Sequence, residues 1–154
     1  MHAISQSAVW LKEPSANAGV IIVTSAVLPD YMIGKLQLAI DDWDQVALLV
    51  VRQSTALMLD WLRVGSSALE STPVANCDAG HLLNGVSKGC FLLDVETGPV
   101  PGLAWLGSVC GHTLRVLEVG SVASSSAAMD RQVDGILSVT RALAKNVLQE
   151  RCVI

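Results

Sequence analysis

Residues 19–43 read GVIIVTSAVLPDYMIGKLQLAIDDW, and this stretch decides the fold class. Gly19–Ser25 is short, apolar and β-branched, which is the pattern of a buried strand. Pro29 and Asp30 then open a helix. The fixed φ of proline suits a first turn, and a carboxylate is favoured at the positive end of the helix dipole. From Tyr31 to Trp43 the apolar residues are Met32, Ile33, Leu36, Ala39, Ile40 and Trp43. They recur at i, i+3 and i+4, one face of an amphipathic helix. Asp41, Asp42 and Asp44 bracket its end, where carboxylates are unfavourable.

The same alternation continues outward. Residues 1–18 read as an irregular arm or first edge strand anchored by Trp10 and Leu11, with a turn over residues 12–17. Val46–Arg52 (VALLVVR) is a second buried strand. Ser54 or Thr55 caps a helix to about Leu69, with Leu57, Met58, Trp61, Leu62 and Leu69 on its apolar face. Residues 70–89 are polar and glycine-bearing, a long surface loop or a linker. Cys90–Val95 (CFLLDV) reads as a strand, residues 97–102 as a turn, Leu103–Val109 as a short helix and Thr113–Val119 as a strand. A last helix runs from residues 124–126 to about Leu148. The fold class is therefore α/β: β-α-β-α twice, in a compact, ferredoxin-like α/β sandwich. The expectation is a single compact domain over 1–154, with two degenerate halves, 19–69 and 90–149, joined by the polar linker.

Composition bounds the partners. Only 16% of the 154 residues are charged while 51% are hydrophobic, against about 25% charged in a typical domain. A surface so poor in charge suits a homo-oligomer. The net charge is −4 and the basic residues are scattered, so no basic stripe tracks a nucleic acid. Apolar runs such as Val46–Val51 are far shorter than the ~20 residues that span a bilayer, and the first residues, MHAISQSAVWLKEP, lack a secretory pattern. No membrane association and a cytoplasmic location are the expectations. Cys77, Cys90, Cys110 and Cys152 show no framework spacing and are expected as free thiols.

Cys77, His81, Cys90, Cys110 and His112 are the cluster with ligand chemistry. Their spacings, Cys77-x3-His81 and Cys110-Gly-His112, match no standard zinc site, so no metal is expected. A nucleophilic pair can be drawn from Cys90 or Cys110 with His81 or His112, but no motif fixes their geometry. The run from Gly80 to Gly89 has Val86 where a phosphate loop needs lysine, and it precedes a strand. Asp41, Asp42 and Asp44 lack the glycine and the later glutamate of a calcium loop. Trp43 and Trp61 fall on apolar helix faces, and Trp105 follows the turn where a subunit contact could sit. No catalytic, cofactor or metal residue is expected. The alternative is a small enzyme or ligand-binding protein with its site in the 72–89 and 107–112 loops, using His81, His112, Cys90 and Cys110.

The segment Cys90–Val109, CFLLDVETGPVPGLAWLGSV, resembles the opening of a bacterial microcompartment shell domain. The matching residues are Val95, Glu96, Thr97, Gly98, Val100 and Pro101. Leu114–Val139 is similar to the closing strand and helix of permuted members, through Val119-Gly120-Ser121-Val122 and Gln132-Val133-Asp134-Gly135. It differs in a bulkier first helix, a single strand where the family has a hairpin, and no Gly-Ser-Gly pore loop. The resemblance implies a shell-domain-like fold and a non-enzymatic, self-assembling structural protein. It implies flat ring-shaped oligomers, other shell or scaffold proteins as partners, and no cofactor.

Overall fold

The computed structural model describes residues 7–65, 77–98, 102–121 and 123–152. In chain order the elements are β1 (Ala8–Lys12), β2 (Val20–Ser25), α1 (Asp30–Ile40), β3 (Val46–Val51), α2 (Ser54–Gly65), α3 (Asp78–Leu83), β4 (Phe91–Glu96), a 3-10 helix (Ala104–Ser108), β5 (Thr113–Glu118) and α4 (Ser126–Cys152). The class is mixed α/β, and the β-α-β-α order read from the sequence is present from β2 to α2. From β4 to α4 it recurs with the 3-10 helix as its first helical piece.

The five strands form one sheet in the order β1-β3-β2-β4-β5. β3, β2, β4 and β5 are mutually parallel, and β1 closes one edge antiparallel to β3. Two chain crossovers leave the centre in opposite directions. One goes from β2 through α1 to β3, the other from β4 through the 3-10 helix to β5. Because such crossovers are right-handed, opposite directions put the connections on opposite faces. Ile21 and Val23 accordingly join one apolar cluster, with Leu57 of α2, Leu83 of α3 and Leu106 of the 3-10 helix. Val20 and Ile22 join the other, with Leu36 of α1 and Ile136 of α4. β2 and β3 read as continuous apolar runs because both their faces are covered.

Element ends differ from the sequence reading for local reasons. α1 stops at Ile40, three residues short of Trp43, where Asp41 and Asp42 meet the negative end of the helix dipole. The arm is β1, an edge strand. The polar 70–89 segment holds a helix, α3, in its described part. The Cys77 thiol caps it by accepting from Gly80 N at 3.3 Å. The proposed helix over Leu103–Val109 is a five-residue 3-10 turn. A Cβ on its Gly107 would stand 3.0 Å from Leu114 Cβ, so the turn lies close against β5. α4 runs past Leu148 to Cys152, because its last turns still have partners. Arg151 donates to the Asn17 and Ala18 carbonyls at 3.2 and 2.7 Å. The turn over residues 99–101 and helix residues 66–69 lie outside the described residues.

Candidate functional site

An open sheet whose connections diverge between two neighbouring parallel strands leaves a crevice at their carboxyl ends, the usual ligand position in such folds. Here that boundary lies between β2 and β4. The register sets Thr24 beside Val95 and Val23 beside Asp94. On the far side, Asp94 stands beside Val116 and Glu96 beside Glu118 of β5.

Side chains alternate along a strand, so Leu92, Asp94 and Glu96 share one face of β4. Leu92 belongs to the cluster under α2, α3 and the 3-10 helix, which places both carboxylates on that side. Asp94 is 0% exposed and Glu96 8%. Glu96 Oε2 accepts from Leu103 N at 3.2 Å, which ties the carboxylate to the residue before the 3-10 helix. Among the described residues no N–H or hydroxyl donor reaches either oxygen of Asp94, and the group it faces is the Glu96 carboxyl.

An unpaired carboxylate in apolar surroundings cannot stay ionised cheaply. Burial, and then the hydrogen-bonding and negative charge of Glu96, push the Asp94 carboxyl up to about 8. At neutral pH it therefore holds its proton, unless a cation takes the proton's place. The pair can do two things chemically. It can share a proton, or it can offer hard oxygen donors to a divalent cation. The polar groups nearby on β2 point elsewhere: Thr24 is buried on the opposite face and donates to the Ser25 carbonyl at 3.3 Å. The Ser25 hydroxyl accepts from Val27 N at 3.3 Å and shapes the turn into α1.

The residues singled out from the sequence sit at the other end of the sheet. His112 is buried, and its Nε2 lies 3.1 Å from the Val86 carbonyl. Lys88 donates to the Cys110 carbonyl. These two contacts tie the 84–89 and 109–112 turns together at the amino ends of β4 and β5. His81 is exposed on α3, whereas His112 is buried. Cys90 donates its thiol proton to the Ala18 carbonyl at 3.0 Å. Burial pushes the Cys77 and Cys90 thiols up, the opposite of what a nucleophilic thiolate requires. Cys77, Cys90 and Cys110 are free thiols. Among the described residues no three His, Cys, Asp or Glu side chains gather as metal ligands, and no helix is long and apolar enough to cross a membrane.

Trp61 and Trp105 stack with ring centroids 5.2 Å apart, so Trp105 packs within the chain against α2. Asp94 was visible in the sequence as an acid inside an apolar strand, FLLDVE. Two carboxylates at i and i+2 of such a strand share one face and are costly to bury, and that cost is the signal of a site.

The sequence matches no family model, and no curated protein matches it.

Proposed function

We propose that the protein binds a phosphorylated small molecule through a divalent cation held by Asp94 and Glu96 at the carboxyl edge of β4. The observation that carries this reading is the fully buried Asp94 carboxyl, with no N–H or hydroxyl donor on either oxygen among the described residues and a second carboxylate, Glu96, beside it. Native proteins leave buried polar atoms unpaired mainly where a ligand, ion or proton completes them. Two carboxylates are fewer ligands than an all-protein cage provides. They are the number a magnesium-type ion uses when water and substrate phosphates fill its other positions. Nucleotides are the first class to test, because open sheets wound in two directions commonly take them at this crevice; that step is an analogy of fold.

Titration with Mn2+ followed by electron paramagnetic resonance tests the reading. One ion per chain is expected, bound more tightly with a nucleoside diphosphate present. Asp94→Asn and Glu96→Gln should each weaken it by at least about tenfold. Unchanged binding in both variants, or no binding at millimolar Mn2+, overturns it.

A second reading is a self-assembling structural protein, in line with the shell-domain resemblance. Large apolar side chains stand in the open at Leu38 (78% exposed), Val27 and Leu59. β5 is an edge strand with Val116 exposed, and such edges pair readily with a second copy. Sedimentation velocity at low micromolar concentration tests it: a defined ring-sized oligomer supports assembly, and a monomer ends it.

A further inference from the structure

A cavity lies at the amino edge of the sheet. It has a volume of about 560 Å³ and opens between the α1–β3 turn and the last turns of α4, a size suited to a small organic ligand. Trp43, Val46 and Leu148 give it apolar walls, and Arg141, Lys145 and Arg151 give it charge. The chain has ten Lys and Arg residues and a net charge of −4, so three cations around one cavity are a marked concentration.

Each of these groups is held differently. Arg141 lies over the Trp43 ring, its guanidinium carbon 4.9 Å from the ring centroid. That stack orients a planar fork of donors without using them. Among the described residues neither Arg141 nor Lys145 has a hydrogen bond or an ion pair. They stand one helical turn apart, where like charges repel. Arg151 is committed to the Asn17 and Ala18 carbonyls and contributes only its charge. Among the described residues Asp44 is the one carboxylate on the wall. Its oxygen accepts from Asn17 Nδ2 at 2.7 Å, and Asn17, then Ser15, with a smaller attraction from Lys12, hold its carboxyl below the ordinary range. Asp44 therefore has its own partners and leaves Arg141 and Lys145 uncompensated.

We propose that this cavity is a binding site for a small organic anion with an apolar body, its acid group taken by Arg141 and Lys145 and its body by Trp43 and Leu148. The site is separate from Asp94 and Glu96, which lie at the opposite edge of the sheet, and it does not rest on the cation reading.

A matched pair of fluorescent probes tests it. 8-Anilinonaphthalene-1-sulfonate carries the anion, and N-phenyl-1-naphthylamine is the same body without it. The sulfonate should saturate at one molecule per chain and bind at least about tenfold tighter than the neutral probe, the worth of one or two charge-assisted contacts. R141A/K145A should bring the sulfonate down to the level of the neutral probe. Lys145→Arg, which keeps the charge and leaves the Arg141 stack in place, should keep most of the binding. Both side chains are exposed, so the thermal melt of R141A/K145A should match the parent. If that variant does not fold, Lys145→Gln alone should weaken the sulfonate severalfold. Binding that does not saturate, that ignores the substitutions, or that falls equally for both probes overturns the proposal.

Discussion

At the carboxyl edge of the sheet, Asp94 and Glu96 are packed under helices with almost no access to solvent. At the amino edge, Arg141 and Lys145 stand in the open around a cavity. Both places collect charge of one sign without an opposite partner from the chain, yet the energetic consequences differ. Ionising Asp94 in place costs several kcal/mol before any partner arrives, so the carboxyl keeps its proton until a cation replaces it. Keeping two cations one turn apart in water costs about 0.2–0.5 kcal/mol, so the amino edge stays charged and ready. The buried pair gives selectivity for a compact, multivalent ion. The exposed pair gives attraction for an anion that also brings apolar surface.

The largest expected effect breaks the comparison at the buried end. Burial and the neighbouring Glu96 push the Asp94 carboxyl up from its ordinary 3.8 to about 8 in the fold. Between those limits the folded chain holds a proton on Asp94 that the unfolded chain has lost, so this group's contribution to stability is greatest at the acid end of the window and falls as pH rises toward 8. Urea melts without metal should show a loss on the order of a few kcal/mol across that window. Asp94→Asn should flatten the slope, and a slope that survives in the variant would place its origin elsewhere.

The next prediction concerns the support of the open end. A Cβ on Gly19 would lie 3.1 Å from Val147 Cγ1 of α4. Gly19→Ala therefore requires Val147 to give by a few tenths of an ångström: with α4 rigid there the variant loses about 1–3 kcal/mol, and with α4 yielding its melt matches the parent. Because α4 carries the cavity wall, the same variant should weaken binding of the anionic probe. Retained binding with lost stability would show that the wall moves independently of the sheet.

The smallest effect is the control for exposed charge in general. Lys35 lies 3.9 Å from Asp130 across α1 and α4, both about half exposed. Lys35→Ala should shift stability by no more than about 1 kcal/mol. A larger loss would mean that surface charge on this chain is worth more than the comparison allows.

The strands and helices were largely legible because their signals are local. The Met32–Leu36–Ile40 stripe and the β-branched run of β2 each specify one element without help from the rest of the chain. The sheet order was not legible, because periodicity says which face is buried and nothing about which strand lies next to it. The placement of β2 between β3 and β4 depends on crossover direction. The candidate carboxylates were not legible for a related reason. His and Cys residues in loops carry the more familiar chemistry, yet His112 and Cys90 make hydrogen bonds that lock the amino ends of the strands. Asp94 lies inside a strand that reads as core, and only the strand's position at the divergence of the connections turns that core acid into a candidate ligand.

The proposed cation site requires Asp94 to be a buried acid that gives up its proton to a cation. Its side-chain carboxyl carbon can be followed by nuclear magnetic resonance across a pH titration, first without metal and then with saturating Mg2+ and a nucleoside diphosphate. A midpoint raised to about 8 is expected in the first series. In the second series the midpoint should fall to or below the ordinary carboxylate range, with Asp94 ionised throughout neutral pH. A midpoint in the ordinary range without metal, or a raised midpoint that Mg2+ and nucleotide leave in place, would contradict it.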